Sequence, residues 1–275
     1  MPKISIITVN LNNLVGLRKT AESVLSQTYK DFEFIVMDGG SKDGSKEYIE
    51  EISEHLTLWK SEPDTGIYNA MNKAIKLAKG DYTCFLNSGD IFFENRTLEE
   101  FVKKIDGDIG IYYGDMIWNE KRRKRLIEVP TILTYPYLLS HGLNHQSCFI
   151  KRSLFDEIFY YNEDFKIIAD WEFLLYAIFR KAIPTKHLGI TVCIYDATGI
   201  SSAAKNQKSI YADRQEIINR HFPLFNFSPE QTKTLTEKRG KQFIYIKQHK
   251  IAYRVLKWCM SLILLFLPKT NYKND

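Results

Sequence analysis

Two hydrophobic patterns alternate along the first half of the chain. Short apolar runs rich in β-branched residues, typical of buried strands, cover residues 4–9, 33–37, 58–60 and 82–86. Between them, apolar residues recur at helical spacing over 17–25, 48–56 and 67–79, and Gly80 follows the last of these helices. Alternating strands and helices predict an α/β fold, with a mostly parallel sheet and flanking helices.

The pattern is less regular after Asp90. We expect helices over 97–105 and 170–180, strands over 109–118, 147–150 and 190–195, and a charged hairpin or loop over 121–125. From about residue 201 onward only helices are predicted. The expected organisation is a first domain over residues 1–205 and a helical C-terminal region over residues 206–275.

Composition narrows the class of protein. A hydrophobic content of 44% and a charged content of 26% in 275 residues are typical of a folded protein. The four cysteines are far apart and form no CxxC pair, so they indicate neither a zinc site nor a disulfide framework, and three are expected to be buried. The chain enters a strand at once without a secretory signal, which favours the cytoplasm. No nucleic-acid-binding module is recognisable, so no nucleic-acid partner is expected.

The C-terminal region is basic and then apolar. Residues 231–258 hold eight Lys or Arg against one acid, and residues 258–267 are ten residues without a charge. Such a run is too short to span a bilayer, which needs about 20 apolar residues. The pattern predicts an interfacial helix at the inner face of the cytoplasmic membrane. The alternative is a helix that packs on the first domain or on a partner subunit.

Polar residues follow the first two predicted strands. Thr8 and Asn10 end the first and Asp38 ends the second, and neighbouring parallel strands would bring these ends together, since strands lie about 4.8 Å apart. The Asp38 carboxylate can accept a hydrogen bond from a pyrimidine N–H or a ribose hydroxyl, and Gly39 and Gly40 let the backbone approach a ligand. The alternative is an ordinary turn and helix cap.

Two further polar segments flank the predicted helix over 67–79. Asp64 precedes it, and Asn72 lies on its first turns, so both can face a sugar nucleotide, although capping alone would explain Asp64. After the strand over 82–86 comes the turn Asn87, Ser88, Gly89 and Asp90. A carboxylate at the end of a strand can hold a hard cation on substrate phosphates. The alternative is a surface turn.

The apolar helix over 170–180 begins at Asp170, and Trp171 and Phe165 would flank the Asp170 carboxylate. Such a carboxylate can act as a general base towards a hydroxyl, or simply cap the helix. Glu172 should point away from Asp170 because it is two residues further along the helix. His145 can contact donor phosphates or the acceptor, with a structural role as the alternative.

These motifs occur in a specific order: 8–10, 23–29, 38–44, 61–72, 87–90, 145–146 and 170–172. In this order the chain resembles family 2 glycosyltransferases, of the bacterial type that builds surface polysaccharides, over roughly residues 3–200. The resemblance implies a GT-A fold with a Rossmann-like nucleotide-binding half, a nucleotide-diphospho-sugar donor, a divalent metal (Mn²⁺ or Mg²⁺) and transfer with inversion.

The resemblance also implies roles for single residues. Thr8 and Asp38 would contact the base, Asp64 the base and ribose, Asp90 the metal, and Asp170 would be the general base. One departure is Asn87, which stands where the family's DXD motif has its first acidic residue, so the metal site has one carboxylate fewer.

The expected function is transfer of a sugar, from a UDP-sugar by preference, to a saccharide or polyprenyl-linked saccharide at the membrane face. A sugar-phosphate nucleotidyltransferase would need a Gly-rich loop with Lys or Arg after the first strand, where this chain has Asn10-Leu-Asn-Asn-Leu. A non-catalytic protein that kept the fold is the other alternative. Asn87 favours it, and Asp90 and Asp170 oppose it.

Overall fold

The computed structural model describes residues 4–120, 123–199, 206–223, 238–247 and 249–266. They belong to two compact units, one within residues 1–226 and one within residues 227–275. The first unit is an α/β structure built on a nine-stranded sheet, as counted over the described residues. This architecture confirms the predicted α/β class.

The strands of the first unit follow the predicted alternation. They are β1 Ile4–Asn10, β2 Phe32–Asp38, β3 Leu58–Ser61, β4 Tyr82–Phe85, β5 Ile91–Phe92, β6 Ile111–Glu120, β7 Arg123–Ile127, β8 Cys148–Lys151 and β9 Thr185–Asp196. Their order in the sheet is β3-β2-β1-β4-β8-β6-β9-β5, and β7 pairs with β6. The β3-β2-β1-β4 part is parallel, as predicted. The rest is mixed, because β8 is antiparallel to both β4 and β6.

Helices cover both faces of this sheet. They are α1 Leu14–Leu25, α2 Ser45–Glu51, α3 Ile67–Leu77, α4 Thr97–Lys104, α5 Tyr135–Ser140, α6 Leu154–Glu157, α7 Ala169–Phe179 and α8 Gln207–His221. Successive strand residues face opposite layers: Ile6 lies in one apolar cluster and Ile7 in the other. Burial of both faces explains why β1 is apolar almost throughout. Cys84, Cys148 and Cys193 are buried free thiols, as expected.

The hairpin expected at the charged segment over 121–125 agrees with the antiparallel pairing of β7 with β6, from Glu120↔Arg123 to Met116↔Ile127, while residues 121 and 122 lie outside the described part of the chain. Other elements differ from the sequence-based expectation. The short elements β5, α5 and α6 were not predicted. Each is held by contacts with distant segments, as β5 is by its pairing with β9, and such contacts leave little trace in local periodicity.

Helix α8 packs into the first unit, although it begins beyond residue 205. Ile217 and Ile218 on this helix are fully buried, and His221 Nε2 lies 2.7 Å from Glu172 Oε1 on α7. The division into a first domain over residues 1–205 and a helical C-terminal region over residues 206–275 stays a prediction.

The second unit contains α9 Lys238–Lys247 and α10 Lys250–Leu264, and the rings of Phe243 and Tyr253 are 6.2 Å apart. No helix within the described residues is long and apolar enough to cross a membrane. Large apolar side chains on and after α10 are exposed, including Ile251 (81%) and Phe266 (86%). Residues 231–237 and residue 267, which contribute to the predicted basic and apolar pattern, lie outside the described residues.

Candidate active site

The carboxyl ends of β1, β2 and β3 meet at one edge of the sheet. Asn10 pairs with Asp38, and Asp38 pairs with Ser61, in the parallel register. Asn10 Nδ2 donates a hydrogen bond to Asp38 Oδ1 at 2.8 Å. The predicted closeness of these strand ends is therefore confirmed.

Asp38 is a buried carboxylate surrounded by donors. Besides Asn10, it accepts hydrogen bonds from the hydroxyls of Ser41 and Ser61 and from the backbone amides of Gly40 and Ser41. Burial acts to raise the pKa of Asp38, but the bonds from Ser41, Ser61 and Asn10 outweigh it and lower the pKa. The side chain is therefore ionised at neutral pH. A ligand N–H or O–H can replace one of the serine hydroxyls, since these rotate freely.

Asp64 lies against the turn that follows β2. A Cβ placed on Gly39 would lie 2.6 Å from Asp64 Oδ2, so the sequence needs glycine at residue 39 for this close approach. Asp64 Oδ1 accepts a hydrogen bond from the Gly66 amide at 2.9 Å. The structure thus brings Asp64 next to the Asp38 turn. The N-cap of α3 is Gly66, with no side-chain cap hydrogen bond, so Asp64 does not cap the helix.

Thr8 and Asn72 make structural contacts. The buried Thr8 hydroxyl donates to the Leu86 carbonyl at 2.7 Å. Asn72 donates to the Tyr161 carbonyl at 2.8 Å and accepts from the Tyr161 amide at 3.0 Å. Both side chains thus have partners within the protein, and their contact with a nucleotide sugar stays a prediction.

The turn from Asn87 to Asp90 follows β4. It is closed by the Asp90 amide, which donates to the Asn87 carbonyl at 2.9 Å, and Gly89 adopts a φ of +112°. Asp90 is 3% exposed, and burial raises its pKa to about 7, against opposing effects of the Asp196 amide, His145 and Gln146. A buried carboxyl with such a pKa is partly protonated at neutral pH, and a bound cation would favour its ionised form.

Asp196, at the end of β9, is a residue that the sequence reasoning missed. Its amide donates to Asp90 Oδ1 at 2.8 Å, and a Cβ on Gly89 would lie 2.9 Å from Asp196 Oδ2. The available signal was an Asp directly after a predicted strand, the same signal that singled out Asp38. The pairing of β9 with β5 brings it beside Asp90.

These residues fit a metal that is shared with a ligand. Within the described residues, no group of three His, Cys, Asp or Glu is arranged to hold a metal ion. The carboxylates of Asp90 and Asp196 are close together, and the buried atoms Asn87 Oδ1 and Ser88 Oγ have no hydrogen-bond partner. Oxygen donors of this kind suit Mg²⁺ or Mn²⁺ that takes its remaining ligands from diphosphate and water.

Asp170 lies in the first turn of α7 between two donors. The Tyr68 hydroxyl is 2.6 Å from Asp170 Oδ1, and His145 Nδ1 is 2.6 Å from Asp170 Oδ2. Burial acts to raise the pKa of Asp170, but His145 and Tyr68 outweigh it and lower the pKa. The Asp170 carboxylate is therefore ionised. Its side chain is 16% exposed, so a substrate hydroxyl can still reach it. Tyr68 was not singled out from the sequence.

His145 connects the two carboxylate regions. Its Nε2 lies 3.4 Å from Asn87 Nδ2, while its Nδ1 contacts Asp170. A line of polar contacts therefore runs from Tyr68 through Asp170 and His145 to the turn that ends in Asp90. Glu172 is outside this line, since it is 2% exposed and faces His221 on α8, as helix geometry predicts.

Comparisons with known proteins identify the family of this chain. The family model described as Glycosyl transferase family 2 matches residues 5–159. An uncharacterised glycosyltransferase of Mycobacterium tuberculosis (strain CDC 1551 / Oshkosh) is 32% identical over 234 residues, which cover 81% of this chain and 86% of the relative. The chain belongs to glycosyltransferase family 2. This family 2 glycosyltransferase is also 29% identical to a PGL/p-HBAD biosynthesis glycosyltransferase of Mycobacterium bovis (strain BCG / Pasteur 1173P2), over 72% of this chain and 78% of that relative.

Solved structures show the same fold. S. aureus TarS 1–349 in complex with UDP-GlcNAc is similar with a TM-score of 0.60 and 20% identity, covering 89% of this chain and 79% of TarS 1–349. The mannosyltransferase PcManGT of Pyrobaculum calidifontis, solved with GDP-Man and Mn²⁺, gives a TM-score of 0.59 and 16% identity, covering 96% and 81%. The GT-A fold class expected for the family 2 glycosyltransferase is confirmed.

Proposed function

We propose that this glycosyltransferase moves a sugar, with inversion, from a nucleotide-diphospho-sugar to a hydroxyl of a saccharide or lipid-linked saccharide. The observation that carries the proposal is the Asp170 carboxylate, ionised and partly enclosed between Tyr68 and His145, and joined through His145 to the turn of Asp90. A proton acceptor and a diphosphate-binding region at one site are what a single displacement needs.

The donor would bind at the edge where β1 and β2 end. Asp38 and Asp64 would contact the base and ribose, with Asn10 holding Asp38 in place. Uridine is the favoured base, because its ring N–H can donate a hydrogen bond to the Asp38 carboxylate. TarS was solved with UDP-GlcNAc and PcManGT with GDP-Man, which supports a nucleotide-sugar donor.

The metal would be held by Asp90, with Asp196 as a second carboxylate in place of the one missing at Asn87. A bound divalent cation supplies stabilisation of the negative charge that develops on the leaving diphosphate. Ser88, Gly89 and His145 would lie beside the phosphates, and the φ of +112° at Gly89 lets the backbone come close there.

Asp170 would accept the proton of the attacking hydroxyl. As the acceptor oxygen bonds to the anomeric carbon, the bond from that carbon to the diphosphate oxygen breaks, and the proton passes to Asp170. One displacement inverts the configuration. Tyr68 and His145 orient the carboxylate, and Glu172 is not available because it is buried against α8.

The acceptor would belong to bacterial surface glycans, and the enzyme would act at the inner face of the membrane. The relative assigned to PGL/p-HBAD biosynthesis supports such an acceptor. The exposed side chains of Ile251, Val255 and Trp258 on α10, beside Lys250 and Arg254, support attachment to an anionic surface.

A thermal-shift panel tests the donor part of the proposal. Uridine, guanosine and adenosine diphosphates and their common sugar conjugates are compared with and without manganese. We expect the largest manganese-dependent rise in Tm for a uridine nucleotide. In a separate turnover assay with an acceptor, the matching uridine-diphosphate sugar should release uridine diphosphate. A panel in which no nucleotide raises Tm would contradict the proposal.

A further inference from the structure

Helix α8 carries an arginine into the surroundings of Asp170. Ile210, Ile217 and Ile218 on this helix are buried, and His221 contacts Glu172. Arg214 lies on the same face, because residues three, four and seven positions apart share one side of a helix. The packing of α8 therefore directs the Arg214 side chain towards α7.

The guanidinium of Arg214 lies over the ring of Trp171, the residue next to Asp170. Its Cζ lies 5.1 Å from the centroid of the Trp171 ring. The indole is itself fixed, since Trp171 Nε1 donates to the Leu138 carbonyl at 2.9 Å. An arginine stacked on a fixed ring is held in one orientation before any ligand arrives.

The guanidinium has an unused donor. Arg214 Nε is buried and has no hydrogen-bond partner among the described residues. Burial lowers the pKa of Arg214, while the Asp170 carboxylate acts to raise it. A desolvated cation with an unpaired N–H is costly to keep, and an oxyanion that accepts two parallel hydrogen bonds would compensate for that cost.

The position of this cation separates it from the metal region. Arg214 contacts Trp171, the neighbour of Asp170 in the first turn of α7, whereas Asp90 lies in the turn after β4, beside Asp196 at the end of β9. The donor diphosphate belongs with Asp90 in the proposed function. An anion at Arg214 would therefore belong to the other substrate.

We propose that Arg214 binds a phosphate group of the acceptor on the Asp170 side of the site. This inference rests on the proposed function for its assignment to the acceptor, and the phosphate would orient the attacking hydroxyl towards Asp170. The phosphate could come from a prenyl phosphate carrier or from a sugar phosphate, which share the same oxyanion chemistry.

The test measures binding of phosphate probes to the full-length chain in the presence of a chelator. The probes are farnesyl phosphate and glucose 1-phosphate, each compared with its neutral counterpart, farnesol or glucose. We expect a phosphate to bind more tightly than its neutral counterpart, and Arg214→Gln to weaken that phosphate roughly 10- to 100-fold. Lys208→Gln removes a charge from an exposed position on the same helix and should change nothing. Tighter binding of farnesyl phosphate would identify a prenyl phosphate as the source of the phosphate group. Tighter binding of glucose 1-phosphate would identify a sugar phosphate.

Two further variants keep the inference falsifiable. Arg214→Lys retains a charge that can stabilise the fold, but lacks the planar fork, and should lose part of the phosphate affinity. Asp170→Asn should lose transfer and keep phosphate binding, so failure of the proposed base and failure of the Arg214 site are distinguishable. Equal phosphate affinity in the wild type and both Arg214 variants, or no preference for phosphate in the wild type, would overturn the inference. A lower Tm with unchanged phosphate affinity would leave Arg214 as a clamp between helices only.

Discussion

His145 Nδ1 lies 2.6 Å from Asp170 Oδ2, and the two side chains are 9% and 16% exposed. This contact joins the three-residue turn before β8 to the first turn of α7, segments far apart in the sequence. It keeps the Asp170 carboxylate ionised and fixes its direction, while the His145 Nε2 faces Asn87. The pair thus places the proposed base at a set position relative to the turn that ends in Asp90.

Replacing Asp170 tests the proposed base. Asp170→Asn keeps the shape and can still contact Tyr68 and His145, but the amide cannot take a proton at neutral pH. We expect transfer to fall roughly 10²–10⁴-fold, the usual share of general base catalysis, with donor affinity little changed. Single-turnover assays and calorimetry measure the two quantities, and Asp164→Asn is an exposed control. Near-normal transfer would assign the proton to His145 instead.

Replacing the carboxylates beside Gly89 tests the metal site. Asp90→Ala should abolish the manganese-dependent stabilisation by uridine diphosphate, because it removes the buried carboxylate. Asp196→Asn should weaken this stabilisation without abolishing it, and Asn87→Asp should preserve or tighten it. Manganese titrations followed by electron paramagnetic resonance give the affinities directly. Unchanged manganese affinity in Asp90→Ala would remove that residue from the site.

Asp38 should determine the choice of base. With a carboxylate as acceptor, uridine diphosphate should bind more tightly than cytidine diphosphate, whose ring nitrogen at the same position has no proton. Asp38→Asn should reduce that preference roughly tenfold, as expected for one hydrogen bond to a charged group. Calorimetry with each nucleotide measures the ratio. A clear preference of the wild type for guanosine diphosphate would contradict the assignment.

Asp90 should make the metal-free fold less stable as pH rises. Its pKa is about 7 in the folded chain against an ordinary value of 3.8, so the folded state favours the protonated form. The stabilisation from the protonated Asp90 carboxyl is complete below about pH 4. It decreases as pH rises from 4 and is lost once pH passes about 7. Asp90→Asn should remove it, a difference of at most about 4 kcal/mol in the free energy of unfolding at about 1.4 kcal/mol per pKa unit. Urea unfolding of both proteins in a chelator, from pH 4 to 8, checks the sign: a constant difference across that range would rule it out.

The C-terminal unit should attach the enzyme to anionic membranes. Basic residues near such a surface contribute about 1 kcal/mol each, and exposed side chains such as Trp258 and Ile263 add apolar burial. Removing residues 227–275, the second compact unit, should abolish sedimentation with anionic vesicles and preserve nucleotide binding. High salt should release the full chain only in part. If the full chain ignores such vesicles, the segment is no anchor.

The sequence was sufficient for features that depend on neighbouring residues. Asp38 and Asp90 could be found because each follows a strand whose apolar run is readable by itself. Asp196 also follows a predicted strand, but its position beside Asp90 depends on the β5–β9 pairing, and the position of Arg214 depends on the packing of α8 on α7. The insertion of β8 between β4 and β6 is likewise a pairing between distant segments, which periodicity does not encode.

Because α8 packs on the rest of the first unit, a shortened protein should retain this helix. A protein shortened at residue 205 would lose α8 and uncover the apolar surface that Ile217 and Ile218 occupy. It would also remove His221 and Arg220, the partners of the Glu172 carboxylate on α8. A fragment intended for crystallisation or directed evolution should therefore extend at least through Phe222, which is buried beside Tyr135.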